Sequence, residues 1–214
     1  MPMIELLQSV ANAALEMTWQ EIVAVATGVA CVALTVRQNV WCWPVGIVSS
    51  ALFIWVFMGV QLYPDAFLQV CFILISFYGW YRWVRPSQNK RELPVAKFGV
   101  AAMAATAALG ALGTAGVGWF FADAMPRMFP ELAPAAAPYI DSGILVFSLI
   151  AQAGLSRKVL QNWLVWIAID LVAIFLYWSR EIYLTSLLYV AFLALATLGY
   201  LAWRKAWRKQ NALA

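Results

Sequence analysis

Apolar residues along the chain fall into seven nearly continuous runs, 22–36, 40–60, 66–84, 98–121, 139–155, 159–178 and 182–203, with charge and proline collected between them. Runs that are apolar all round predict buried or membrane helices, and about 20 residues is the length that crosses a bilayer core of about 30 Å. The first and fifth runs only just reach that length. Residues 1–18 differ: Ile4, Leu7, Val10, Ala14 and Met17 recur at helical spacing, which predicts an amphipathic helix lying on a surface. The stretch has no basic start and does not read as a signal peptide.

Composition agrees with a lipid solvent. Of the 214 residues 64% are hydrophobic and 11% charged, against about 45–50% and about 25% in globular chains. There is no His, which excludes imidazole metal sites, Ser-His or Cys-His nucleophile pairs and His proton relays. Cys31, Cys42 and Cys71 lie in or beside apolar runs and read as small hydrophobes rather than a disulfide framework. No Gly-rich nucleotide loop is present, so the chain reads as neither an ATPase nor a cofactor protein.

Charge sets the expected orientation, since cytoplasmic loops are rich in Lys and Arg. With the C-terminus inside and the N-terminus outside, Arg37, Arg82, Arg85, Lys90, Arg91, Lys97, Arg157, Lys158, Arg204, Lys205, Arg208 and Lys209 all face the cytoplasm, 12 of the 14 basic residues. Arg127 and Arg180 fall outside with Asp65, Asp123, Glu131 and Glu181. The net charge of +4 then reports topology and contact with anionic headgroups, not nucleic acid. Two linkers interrupt the runs. Residues 86–97 are polar and basic, and 122–138 contain Pro126, Pro130, Pro134 and Pro138, predicting an extended external loop.

Shifting the sequence by 120 residues superposes 19–83 on 139–203 without a gap, with 12 identities in 65 positions, among them Arg37/Arg157, Trp43/Trp163, Gly79/Gly199 and Trp83/Trp203. The expected organisation is therefore an amphipathic segment (1–18), a three-helix unit (19–85), a connector span (98–121), a second three-helix unit (139–203) and a basic tail (204–214). A unit of three spans ends on the side opposite its start, so a second copy in like orientation needs one extra crossing; this is the plan of parallel-repeat transporters. In the connector, Ala102, Thr106, Gly110, Thr114 and Gly118 form a small-residue stripe suited to close helix approach.

Within the spans the one formal charge near the middle is Asp170. A carboxylate there faces a cavity or a partner, or stays protonated as packing glue. Asn162, Trp166, Asp170, Ala173 and Tyr177 share one helix face. Gln69 and Tyr189 lie on comparable faces of the third and seventh runs, and Asn39 stands before the second. Asn39 and Asn162 fit either ligand contact or helix capping. Trp43, Trp163 and Trp166, with an acid and amides, make an aromatic box for a flat, preferably cationic ring, or else pack.

The segments NVWCWPVGIVSSALFIWVFMGVQLYPDAFLQVCFILISFYGWYRW and NWLVWIAIDLVAIFLYWSREIYLTSLLYVAFLALATLGYLAWRK closely resemble the PnuC family of bacterial vitamin B3 transporters, over nearly all of 19–205. The pattern Asn162-Trp163-x-x-Trp166-x-x-x-Asp170, then Tyr183-Leu184-Thr185, Gly199-Tyr200 and Trp203-Arg204-Lys205, carries the likeness. The resemblance implies an all-α membrane protein of seven helices in a SWEET-like 3+1+3 parallel repeat, a homotrimer in the bacterial inner membrane. It also implies nicotinamide riboside as substrate, moved by facilitated diffusion with alternating access and trapped inside by phosphorylation. By the same resemblance the substrate-binding residues are Asn39, Gln69, Asn162, Trp163, Trp166, Asp170, Tyr177 and Tyr189, to which the aromatic-box reading adds Trp43. A related thiamine or riboflavin carrier and proton-coupled uptake through Asp170 stay open, ahead of an intramembrane enzyme or a structural membrane protein.

Overall fold

The computed structural model describes residues 3–59, 63–85, 93–131 and 137–212. Among them, Pro86, Lys90, Arg91 and Pro134 of the two linkers are not included. The regular elements among the described residues are all helical: α1 (Met3–Glu16), α2 (Trp19–Val36), α3 (Cys42–Gly59), α4 (Tyr63–Val84), α5 (Val100–Trp119), a π-helical turn (Phe120–Ala124), α6 (Met125–Met128), α7 (Pro138–Ser156), α8 (Asn162–Ser179) and α9 (Tyr183–Ala212). Seven spans are long and apolar enough to cross a membrane, with α5 through α6 counted as one.

Local chemistry sets the limits. Thr18 and Glu21 form a reciprocal capping box, so α2 begins at Trp19, three residues ahead of the first apolar run. Beyond the last turns of α2, α7 and α8 the chain closes Schellman motifs: Gln38, Lys158 and Glu181 take positive φ, and Asn39, Val159 and Ile182 bond back to Leu34, Gly154 and Tyr177. These turns close the helices within a residue of where the apolar runs stop.

One expectation is corrected. Residues 122–138 do not form one extended loop: the helix of α5 continues through the π turn and α6, with Pro126 in the first turn of α6, where a missing N–H is tolerated. Arg127 there pairs with Asp123 at 2.6 Å. The basic residues of the tail are carried on the last helix, since α9 runs on to Ala212.

The helices pack in a closed order. α2 packs on α3, α3 on α4, α4 on α7, α7 on α8, α8 on α9, and α9 returns to α2, while α5 lies outside this ring against α7. Small residues permit the approaches. A Cβ at Gly110 would lie 2.5 Å from Phe147, so the α5 stripe seats an aromatic ring of α7. Within the ring, Ser49 on α3 donates to the Ala24 carbonyl on α2 at 2.8 Å, and Ser186 on α9 donates to Ile174 on α8 at 3.0 Å.

Helix limits recur at the 120-residue displacement: Val36 and Ser156 end α2 and α7, Cys42 and Asn162 start α3 and α8, Gly59 and Ser179 end them, and Tyr63 and Tyr183 start α4 and α9. The ends rich in Lys and Arg meet at one mouth of the ring, the basic end. Asp65, Asp141, Arg180 and Glu181 lie at the other, the acidic end.

Candidate functional site

The inward face of α8 carries the site. Asp170 is 3% exposed and Ala173 is fully buried, with Trp166 and Tyr177 half-buried a turn to either side. A carboxylate a little under halfway along an apolar helix therefore points away from the lipid side. The Trp166 ring meets Phe72 of α4 edge to face, with centroids 6.4 Å apart. Among the described residues α4 and α8 do not pack on each other, so these rings reach across the space the helices enclose. Towards the acidic end Tyr177 stacks on Tyr189 of α9 at 5.4 Å and 16°, and Tyr189 meets Phe192 at 6.1 Å. Gln69 is half-buried one turn before Phe72 on α4. The structure thus assembles Trp166, Asp170, Tyr177, Tyr189, Phe72 and Gln69 from α4, α8 and α9.

At the acidic mouth, Asp65 and Asp141 lie within electrostatic reach of each other and of Tyr177. Arg180 stands 3.9 Å from Asp141, with both side chains partly exposed.

The other sequence candidates lie elsewhere. Trp43 and Trp163 are each 2% exposed, at the basic end. Trp163 packs its ring on Gly199 and Trp43 packs on Gly79, at equal sequence separation. Both rings make T-shaped contacts, Trp43 with Trp83 at 5.2 Å and Trp163 with Trp203 at 5.5 Å, while Trp83 and Trp203 meet each other at 6.0 Å. This four-tryptophan layer fills the basic mouth. Asn39 is exposed, and its Oδ1 accepts the Trp41 N–H at 2.9 Å, holding the turn before α3. Asn162 is buried and donates to the Val159 carbonyl at the start of α8; its Oδ1 has no partner among the described residues.

Sequence reasoning passed over several polar residues. Gln152 on α7 donates to Ser76 on α4 at 3.4 Å, where Ser76 is buried. Gln161 both accepts from the Phe98 N–H and donates to its carbonyl, at 3.0 and 2.9 Å. Lys158, expected to face the cytoplasm, is 3% exposed. The 120-residue displacement was the available signal, since it sets Lys158 opposite Gln38 and Ser76 opposite the buried Ala196.

A ring of apolar helices around a polar and aromatic interior defines a polytopic membrane protein of the solute-carrying class. Comparisons with known proteins give the family. Residues 18–205 match the profile of the nicotinamide mononucleotide transporter family, and the chain belongs to that family. It is 28% identical over 216 aligned positions to the nicotinamide riboside transporter PnuC of Escherichia coli K12, covering 93% of this chain and 90% of that one. It is also 28% identical to the riboflavin/roseoflavin transporter RibM of Streptomyces davaonensis, over 86% of this chain and 84% of the relative. Its fold matches the crystal structure of the vitamin B3 transporter PnuC with a TM-score of 0.69, at 20% identity, over 96% of this chain and 91% of the other. The chain is a multi-pass membrane transporter of a bacterial family, not an enzyme.

Proposed function

We propose that this chain carries nicotinamide riboside across the bacterial inner membrane by facilitated diffusion, with the inner face of α8 as the central contact surface. The observation that carries the reading is Asp170, 3% exposed and set between Trp166 and the Tyr177–Tyr189 stack. Nicotinamide riboside is a flat pyridinium cation bearing a polyhydroxylated sugar. Aromatic faces attract such a ring through their quadrupole, a carboxylate matches its charge, and the Gln69 amide suits sugar hydroxyls. The nicotinamide riboside name of the PnuC relatives points the same way.

The finer features belong to the same proposal. Recurrent helix limits support two like-oriented three-helix units that rock about the site, with α5 as the inverting crossing. Clustering of Lys and Arg at one mouth supports a cytoplasmic basic end. Uptake is trapped by phosphorylation inside the cell, and the protein works as a homotrimer. The amide and indole groups of Asn39, Asn162, Trp43 and Trp163 join the site only if the tryptophan layer opens; in the closed arrangement they cap and pack.

A second reading, riboflavin as substrate, is favoured by the likeness to RibM. Riboflavin is uncharged, so the carboxylate separates the two. In proteoliposomes Asp170→Asn is expected to weaken nicotinamide riboside binding about tenfold, roughly 1.4 kcal/mol, and to leave riboflavin binding unaltered. Unchanged affinity for the cation would remove Asp170 from recognition, and saturable riboflavin uptake without nicotinamide riboside uptake would replace the substrate. Accumulation above the external concentration under a pH gradient would replace facilitation with proton coupling.

A further inference from the structure

The polar lining of the ring is not the same on its two sides. Ser76 lies four positions beyond Phe72 on the inward face of α4 and is 3% exposed. It stands eight residues from the basic end of α4 at Val84, as Asp170 stands eight residues from the start of α8 at Asn162. At about 1.5 Å per residue, both are about 12 Å in from the basic mouth. Gln152, one turn from the end of α7, reaches this level and donates from Nε2 to Ser76 Oγ at 3.4 Å.

α4 and α7 form one of two seams between the three-helix groups, and α2 and α9 form the other. The 120-residue displacement sets Val32 opposite Gln152 and Ala196 opposite Ser76. At the second seam, therefore, the same place is filled by apolar groups: Ala196 is 2% exposed, and Val32 packs on the cluster that contains it. Packing at this position needs no hydrogen bond. An amide and a hydroxyl stand at the first seam all the same, where a polar pair adds little net stability over apolar groups of similar shape.

The pair leaves an edge open. Gln152 is half-buried, and among the described residues its amide makes this one hydrogen bond. A primary amide has two N–H donors and a carbonyl acceptor, so one N–H and Oε1 stay available. A donor beside an acceptor in one plane complements a carboxamide, which offers the same two groups reversed. Gln69 and Ser76 flank Phe72 along α4, and Phe72 meets Trp166 across the interior. A pyridinium ring held at those aromatics with its sugar towards Gln69 turns its other polar substituent, the carboxamide, towards Ser76 and Gln152.

We propose that Gln152 is the specificity-determining residue for the carboxamide of the substrate, and that Ser76 is the positioning residue that orients its amide. The inference rests on the nicotinamide riboside reading of the same site. A ligand without the carboxamide leaves the Gln152 donor and acceptor unpaired, which is how a hydrogen-bonding site rejects an analogue.

Titration calorimetry on the purified protein compares nicotinamide riboside with N-ribosylpyridinium, which keeps the cationic ring and the sugar and lacks the carboxamide. The wild type is expected to prefer nicotinamide riboside about tenfold. Ser76→Ala combined with Gln152→Val copies the residues of the α2–α9 seam. This double variant is expected to bind nicotinamide riboside about tenfold more weakly and N-ribosylpyridinium as the wild type does. Ser76→Ala alone should reduce the preference about threefold. Equal weakening for both ligands, or unchanged affinity for nicotinamide riboside, overturns the assignment. If the double variant does not fold, Gln152→Met, matched in length, decides by the same ratio. A wild type that binds both ligands equally defeats this assignment alone; one that binds no nicotinamide riboside defeats the substrate reading and this assignment with it.

Discussion

Gly199→Ala tests whether the tryptophan layer is held by close backbone approach. A Cβ at position 199 would lie 2.6 Å from three atoms of the Trp163 indole, where carbon atoms rest at about 3.5–4.0 Å. The ring would have to retreat by about 1 Å. It has nowhere to go, being 2% exposed and in T-shaped contact with Trp203 at 5.5 Å. Overpacking of this kind costs about 1–3 kcal/mol, and the better helix propensity of Ala offsets up to about 1 kcal/mol. A net loss of about 1–2 kcal/mol follows, which is about 2–8 °C in Tm for a chain of this size. Gly116 is the internal control: it lies within α5, and a Cβ there would meet nothing within 4 Å. Gly116→Ala should melt at or slightly above the wild type. Thermal unfolding of detergent-solubilised protein, followed by size-exclusion chromatography, reads both. Adding Trp163→Phe to Gly199→Ala should restore part of the loss, with a coupling above about 0.5 kcal/mol. A Gly199→Ala protein as stable as the wild type, with no coupling to position 163, would refute the packing argument.

Two further outcomes follow from single bonds. Trp203→Phe removes the indole N–H that donates to the Thr35 carbonyl at 3.1 Å between α9 and the end of α2; a loss of about 1 kcal/mol should appear as a lower Tm, and none is expected from Trp55→Phe, whose ring is 72% exposed. Thr18→Ala breaks the capping box with Glu21 and should cost about 1 kcal/mol, read as the same Tm drop, whereas Thr18→Ser should retain most of the stability.

Much of the helix count was legible because an apolar run of spanning length has one physical meaning. The ends were harder to read. Thr18 with Glu21 announces the start of α2, and its apolar run stops with the helix at Val36, but the turn that follows was not legible, since it is a Schellman turn built on Gln38, a residue with no special preference for positive φ. The prolines of 122–138 misled for a related reason: Pro126 lies in a first helical turn, where proline is harmless, and only the three-dimensional path distinguishes that from a break. At the site, the four- and three-residue spacing from Asn162 to Tyr177 found the inward face of α8. Spacing could not separate Trp166, which reaches Phe72 across the interior, from Trp163, which packs on a glycine of the next helix. That choice is made by a residue 36 positions downstream. The burial of Lys158 was not legible, because a lysine in a loop is almost always solvated and its partners at Gln38 and Trp83 come from distant parts of the chain.

The 30 residues of α9 make a rod about 45 Å long, against a hydrocarbon layer of about 30 Å. About a third of that rod must stand clear of the lipid, and near its tip Gln210 accepts a hydrogen bond from the Val95 backbone at 3.1 Å. Any tilt of α9 in the bilayer is therefore levered onto the Val95–Ala96 segment, whose backbone is bonded to the α7–α8 turn. Membrane thickness thereby becomes a mechanical input to this transporter: thin and thick bilayers should load that turn by different amounts.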